Sequence, residues 1–393
     1  MCMAIKLSQR INRLRPSATF GMDLLVMKMK KEGEEVINLA LGEPDFETPR
    51  TIKNGGIRAI KDGFTHYSAV SGIYELKQKI RKKFKYKDNI SYDFEEIAVG
   101  IGSKQILFNT FMALCGRGDE VVIPTPAWSS YIEQIKLTGA KPVLVPLKFP
   151  FKAKASDFVS AVTKKTKVFV INTPCNPTGA VIERHELLKI ARIAQKKNIF
   201  VISDEIYERF SYKNKHYSIA SFGKDIKERT ITINGLSKSH AMTGWRIGYC
   251  GGPAYVIKRI VDLQGQTASG APSISQKAAV LAFTKEAEKE VRGMMREFAK
   301  RRTYLAAELS KIKNLSFAIP EGAFYFFIDV TSCLSKSLPS SNVWCERLLS
   351  EKKVALVPGE AFEHPGFVRL SFTRDISILK VAAERIRDFI NEH

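Results

Sequence analysis

The chain has 393 residues, 45% of them apolar, which is ordinary for a soluble globular protein and ample for a sizeable core. Lys and Arg number 62 against 40 Asp and Glu, a formal net charge of +22. No run approaches the roughly 18 apolar residues of a membrane span, the N-terminus lacks the apolar run of a secretory signal, and the six cysteines (Cys2, Cys115, Cys175, Cys250, Cys333, Cys345) form no C-x-x-C pair, which argues against membrane, secreted, zinc-site and disulfide-framework classes.

A cytoplasmic protein with buried, reduced thiols is expected. The positive charge is spread through helices and turns, with local clusters such as Lys77-Gln-Lys-Ile-Arg-Lys-Lys-Phe-Lys85. Such runs mark solvated faces, and their field attracts small anions. No specific nucleic-acid binding is expected.

Taken in order, Ser17-Ala-Thr19 precedes a helix with Met22, Leu25, Val26 and Met29 at helical spacing. Residues 36–41 read as a strand, and Gly42-Glu-Pro-Asp-Phe-Glu-Thr-Pro49 as a loop. Helices are expected over 51–61 and 72–85, around a polar loop, 66–72, that carries Tyr67. A strand at 96–99 leads into Gly100-Ile-Gly-Ser-Lys-Gln105 and an apolar helix through Leu114. Strands follow at 120–123, 142–145, 167–171, 199–202 and 230–233, with a turn at 172–179 and a helix at 184–197. Helical patterns follow Gly252, including a long one at 274–310 whose length and charge suit a link between domains. Strands at 322–328, 354–357 and 368–372 precede a final helix at 376–391. Apolar strands alternating with helical patterns predict a mostly parallel sheet wrapped by helices.

Ligands of such sheets bind outside the carboxyl ends of the strands. Gly100-Ile-Gly-Ser-Lys104, Trp128, Asn176, Asp204 with Tyr207, and Lys238 all stand there. Each alone has an ordinary reading as a cap, a turn or core. Together they suit an aromatic, phosphorylated aldehyde. Gly102 and Ser103 open a helix whose N–H groups can hold a phosphate, and Arg246 offers that phosphate a bidentate partner. Trp128 offers a ring platform. Asp204 can keep a ring nitrogen protonated, and Asn176 and Tyr207 can bond a phenolic oxygen. Lys238, just past a buried strand, is placed as an amine nucleophile. No G-x-G-x-x-G or G-x-x-x-x-G-K-[ST] motif is present.

Six stretches carry a resemblance: 38–46 (NLALGEPDF), 66–73 (HYSAVSGI), 174–179 (PCNPTG), 203–207 (SDEIY), 237–246 (SKSHAMTGWR) and 368–372 (VRLSF). Their order and spread over nearly the whole chain resemble the class I/II aminotransferases of fold-type I, in particular the bacterial and archaeal aspartate aminotransferase subgroup. The resemblance implies pyridoxal 5'-phosphate as cofactor and Lys238 as the Schiff-base lysine, nucleophile and general base in one. It implies that Asp204 pairs with the pyridine nitrogen, that Asn176 and Tyr207 contact the ring oxygen, and that Trp128 stacks on the ring. Gly102, Ser103, Lys104, Ser237 and Arg246 would surround the phosphate, with Tyr67 reaching it from the neighbouring subunit of a homodimer with shared active sites. Arg369 would clamp the substrate's α-carboxylate beside Gly42. No metal is implied. The fold implied is α/β, with a large domain over 48–290 and a smaller α/β domain drawn from both chain ends, 1–47 and 291–393.

The implied reaction moves the α-amino group of an L-amino acid to a 2-oxo acid, with aspartate and 2-oxoglutarate or an aromatic donor as substrates. A pyridoxal phosphate lyase or another transaminase specificity on the same scaffold is the alternative. A DNA-binding regulator would need a helical module ahead of Ser17, where 16 residues stand. His240 replaces the Tyr or Phe usual for the motif and is expected to pack as a neutral aromatic. Met112 stands near where a lysine for a distal carboxylate is expected, which weighs against aspartate. Ser17 and Thr19 are further polar contacts to locate, and Arg374, a candidate second anion contact, is expected at the surface.

Overall fold

The computed structural model describes residues 8–12, 14–16, 18–213 and 215–393. Cys2, Ser17 and the side chain of Thr19 lie outside what it describes. The first strand, β1 (Ile37–Asn38), is shorter than the apolar run that predicted it. Seven strands then build the main sheet: β2 (Ile97–Ile101), β3 (Glu120–Thr125), β4 (Lys141–Pro146), β5 (Thr166–Asn172), β6 (Phe200–Asp204), β7 (Thr230–Gly235) and β8 (Ile247–Gly251). Their order is β2-β8-β7-β6-β5-β3-β4. The pairings from β7 through β6, β5 and β3 to β4 are parallel, and β8 runs antiparallel to both β7 and β2.

The strands are apolar because both faces of the sheet are covered. Val168, Val170, Ile202 and Ile231 face a core shared with Ile106 and Phe111 of the helix Gly102–Leu114 and with Ile257 of the helix Ala254–Thr267. Phe169, Ile171 and Val201 face the opposite core, with Leu187 and Ile190 of the helix Arg184–Lys197. β8 is absent from the sequence reading because Ile-Gly-Tyr-Cys-Gly is no continuous apolar run. Its glycines have a tertiary cause: a Cβ on Gly248 would strike the backbone of Gly102 and Ser103, and one on Gly251 the ring of Tyr92. The helix Ser129–Thr138 also went unread.

The expected single helix over 274–310 is two helices, Ser273–Val280 and Lys285–Leu309. Thr284 separates them. It is extended (φ −89°, ψ 163°), and its side chain accepts a bond from the Ala287 N–H, so it caps a new helix rather than continuing the old one.

The remaining strands are β9 (Ser316–Phe317), β10 (Tyr325–Asp329), β11 (Val354–Ala355), β12 (Val357–Pro358) and β13 (Phe367–Ser371). An antiparallel sheet has the order β12-β13-β10-β9, and β11 pairs in parallel with β1. The helices Lys285–Leu309 and Ile376–Glu392 share a core with this sheet. Buried Arg301 donates to Asp45 (2.7 Å) and Asp375 (3.0 Å), which ties the segment after β1 to the C-terminal helix. Cys115, Cys250 and Cys345 are buried free thiols as expected, whereas Cys175 and Cys333 are only half-buried.

Candidate active site

A cavity of about 500 Å3 opens at the carboxyl ends of the parallel strands, against β10 and β13. Lys238 lies three residues past β7, and its Nζ donates to the Gly42 carbonyl at 2.6 Å. Burial brings its amine down to about 8. Glu43 opposes that shift, and Arg369, Arg246 and Lys104 add to it.

On one side, Arg246 has φ 57°. It donates through Nη1 to the Thr243 carbonyl (3.0 Å) and through Nη2 to the Ile101 carbonyl (3.3 Å). Gly102, at φ +73°, opens the helix beneath it, and a Cβ there would lie 2.6 Å from Arg246 Nη2. The guanidinium therefore sits on the helix N-terminus, whose first N–H groups have no side-chain cap. The Ser103 hydroxyl donates to the Asn234 carbonyl (3.0 Å), and Ser237 lines the cavity beside Lys238.

On the other side, Asp204 ends β6. It accepts from the Tyr131 hydroxyl (2.6 Å) and the Ile206 N–H (3.3 Å). Burial pushes its carboxyl up to about 6 against the pull of those two bonds. Asn172, at the end of β5, donates to the Asp204 carbonyl (3.0 Å) and accepts from the Asn176 N–H (2.9 Å). Asn176 in turn accepts from Arg369 Nη1 (2.9 Å), and Arg369 Nη2 donates to the Ala40 carbonyl (2.5 Å). The Arg369 guanidinium lies over Tyr325 (4.4 Å) and Phe362 (5.0 Å) and is 2% exposed. Tyr325 meets Tyr207 hydroxyl to hydroxyl at 2.9 Å. Lys104 Nζ stands 4.8 Å from the ring of Trp128, which packs edge-on against Tyr131.

The structure thus brings Gly42, Ser103, Lys104, Trp128, Asn176, Asp204, Tyr207, Ser237, Lys238, Arg246 and Arg369 to one cavity, with Gly102 directly beneath Arg246. Tyr67 stands apart, 95% exposed in a loop beside residues 268–273. The sequence reading missed Glu43, Tyr131, Asn172, Thr243 and Tyr325. Asn172 is a strand-end residue that the same survey could have found. Tyr131 lies on the unread helix.

Met112 is 37% exposed on the helix Gly102–Leu114 and does not line the cavity. Its apolar character therefore does not argue against an acidic substrate. Arg374 does not line it either. His240 is buried between the Ser239 hydroxyl (Nδ1, 2.8 Å) and the Ala282 carbonyl (Nε2, 3.2 Å). Burial brings it down to about 4, so it is neutral, with its proton on Nε2 facing the carbonyl.

Next to Asp204, fully buried Glu205 accepts from Ser203 (2.8 Å), Ser218 (2.7 Å) and His216 (3.1 Å). Burial raises the Glu205 carboxyl, but His216 and Ser218 outweigh it and hold it below 4.5. Burial lowers His216, but Glu205 holds it above 6.5. The Glu205 contribution to stability is present above 4.5 and is lost as pH falls through its lowered value. The His216 contribution is present below 6.5 and is lost as pH rises through its raised value. His216→Ala leaves a buried carboxylate unpaired and is expected to cost about 3 kcal/mol near pH 6. Urea unfolding midpoints of the variant and the parent at pH 6 and pH 9 check this, and the gap should narrow at pH 9.

A family model for "Aminotransferase class I and II" matches residues 34–386. The chain belongs to this family. This aminotransferase is 40% identical over 388 residues to the aspartate aminotransferase of Bacillus sp. (strain YM-2), covering 98% of this chain and 99% of that one. It is 42% identical over 390 residues to a probable aspartate/prephenate aminotransferase of Aquifex aeolicus, covering 98% and 99%. Its fold matches the aspartate aminotransferase of Thermus thermophilus with maleate at a TM-score of 0.94 and 36% identity, over 98% of this chain and all of that one. The aminotransferase fold, a seven-stranded mostly parallel sheet flanked by helices, is the one expected from the alternating strands. Among the described residues, no helix of the aminotransferase is long and apolar enough to cross a membrane.

Proposed function

We propose that the chain is a pyridoxal phosphate-dependent transaminase acting on an acidic L-amino acid, with aspartate as donor and 2-oxoglutarate as acceptor. One observation carries this: a half-buried lysine of lowered basicity shares one cavity with a buried carboxylate and with an arginine set over an uncapped helix N-terminus. The residues fit the cofactor. Asp204 is a raised, buried carboxylate that a ring cation would bring down, and the Gly102–Arg246 seat is shaped for a phosphate. Bound there, pyridoxal phosphate would supply an electron sink for the bonding pair left when the substrate's α-proton departs.

The chain's residues supply the rest. Arg246, Ser237 and the N–H groups at Gly102 and Ser103 hold the phosphate. Asp204, braced by Tyr131, holds the ring nitrogen, Asn176 and Tyr207 bond the ring oxygen, and Trp128 covers the ring. Lys238, neutral above about pH 8, takes the α-proton and returns it. Arg369 binds the α-carboxylate beside Asn176 and Gly42.

Two of the cavity's cations are accounted for in this way, Arg246 by the phosphate and Arg369 by the α-carboxylate. Lys104, which the sequence reading gave to the phosphate, stands at the Trp128 face and is placed for a third anion, a distal carboxylate. Relatives named for aspartate, and the maleate in the Thermus structure, support this reading. Lys104→Gln is expected to lower kcat/KM about 10- to 100-fold for aspartate and little for phenylalanine. Equal losses for both donors would return Lys104 to the phosphate.

The exposed Tyr67, with Ile57 and Ile60 exposed on the helix before it, supports a homodimer in which Tyr67 completes the partner's phosphate site. A large unit over 48–290, with a smaller one from both chain ends, and a cytoplasmic location complete the reading. Borohydride reduction of the cofactor-loaded enzyme, followed by peptide mapping, tests its core. The label is expected on Lys238, and a label on Lys104 would overturn the assignment.

A further inference from the structure

A second cavity, of about 490 Å3, shares no lining residue with the first but meets it in the same loops. Ser237 and Lys238 line the first, Ser239 and His240 the second. Tyr207 lines the first, Glu208 and Arg209 the second. The second cavity takes its other wall from the helix Tyr74–Lys87, where the basic cluster of the sequence lies.

Seven Lys and Arg side chains line it against three carboxylates, and those carboxylates are already matched. Nearly buried Lys83 binds Asp88 (2.7 Å) and Glu208 (2.6 Å). Arg209 holds Glu288 through both terminal nitrogens (3.0 and 2.8 Å). Lys79, Lys82 and Lys285 line the same cavity, and no ion pair neutralises them among the described residues. An independent feature points the same way. His216 uses Nε2 for Glu205, and among the described residues its buried Nδ1 has no partner. Glu205 holds the ring above its usual value, and in the charged form that Nδ1 is a donor in need of an acceptor.

We propose that this cavity is a second ligand site, for a small polyanion carrying two or more phosphate groups, held by Lys79, Lys82 and Lys285 against the wall that His216 lines. Unpaired lysines are compact point charges suited to charge-dense phosphate oxygens. A carboxylate ligand would favour a free planar arginine, and Arg209, which lines the cavity, is committed to Glu288. The volume suits a small metabolite. An occupant would lie against Ser239 and His240, and His240 bonds Ser239, the residue after Lys238. Binding therefore reaches the lysine loop without entering the active site. The basic cluster 77–85 then has a ligand-binding role beyond solvation.

Calorimetric titration of the cofactor-saturated enzyme with inorganic tripolyphosphate, at constant ionic strength, tests this. One saturable site per chain is expected. The variant Lys79→Gln/Lys82→Gln/Lys285→Gln should bind at least 10-fold more weakly, with unchanged thermal unfolding and unchanged basal kcat/KM. A control variant, Lys164→Gln/Lys196→Gln/Lys197→Gln, removes the same charge from other exposed positions and should bind like the parent. Absence of a saturable heat, or equal weakening in both variants, would overturn the site. Saturating tripolyphosphate should also change kcat/KM of the parent and not of the first variant. An unchanged kcat/KM would overturn the link to Lys238. The heats are read independently of catalysis, so the site stands or falls apart from the transaminase reading.

Discussion

Lys238→Ala is expected to lower kcat for transamination by about 10⁴-fold, the upper range for loss of a positioned acid–base group. The fold should survive. The replaced amine is desolvated and lies among Arg369, Arg246 and Lys104, with Glu43 opposing them, and its lowered value shows that the site disfavours the charge on balance, so removing it relieves that cost. The unfolding temperature of the variant should equal or exceed that of the parent, which separates a catalytic loss from a structural one. In the parent, the amine must be neutral to act, and its folded value is about 8. Uptake of pyridoxal phosphate by the cofactor-free enzyme should rise about tenfold per pH unit up to about 8 and then level off. Below about pH 6 the rise should be steeper, because Asp204 also loses its charge there. A rate independent of pH between 6 and 8 would contradict a desolvated, weakened Lys238.

Arg369→Ala is the second large effect. It removes the donor to Asn176 and Ala40 and the cation over Tyr325. Loss of a buried charged partner of this kind costs about 2–5 kcal/mol, or about 30- to 4,000-fold in kcat/KM. The loss should fall on every amino donor alike, because every donor carries an α-carboxylate. Arg369→Lys should recover only part of it, since an ammonium cannot present the planar fork. Steady-state kinetics across acidic, aromatic and aliphatic donors read the result. A loss confined to acidic donors would move Arg369 to the distal carboxylate and free Lys104 from that role.

Much of the site was legible because it lies at strand ends. Asp204 closes β6, and Lys238 follows β7 by three residues; both positions can be counted along the chain once the strands are read as apolar runs. Tyr131 was not legible, because its role is to brace Asp204 from a helix whose mixed sequence shows no clear face. Tyr325 was inside an expected strand, but nothing local says that its hydroxyl meets Tyr207 across 118 positions of sequence. Met112 shows the reverse error. The resemblance put it near the place of a lysine for a distal carboxylate, but it is exposed on its helix and does not line the cavity.

The sequence alone determined the alternation of strands and helices, because burial on both faces of a parallel sheet demands continuous apolar runs. It also determined the chemistry of the strand ends, because few residue types can serve as amine, carboxylate and guanidinium. Only the tertiary structure decided which charges meet. Long-range packing set Gly102 under Arg246, lowered the Lys238 amine by burial, turned β8 antiparallel over two glycines, and left Lys79, Lys82 and Lys285 facing one cavity without carboxylate partners among the described residues. Those outcomes depend on distances between residues far apart in the chain, and on the desolvation that packing imposes, neither of which a local pattern encodes.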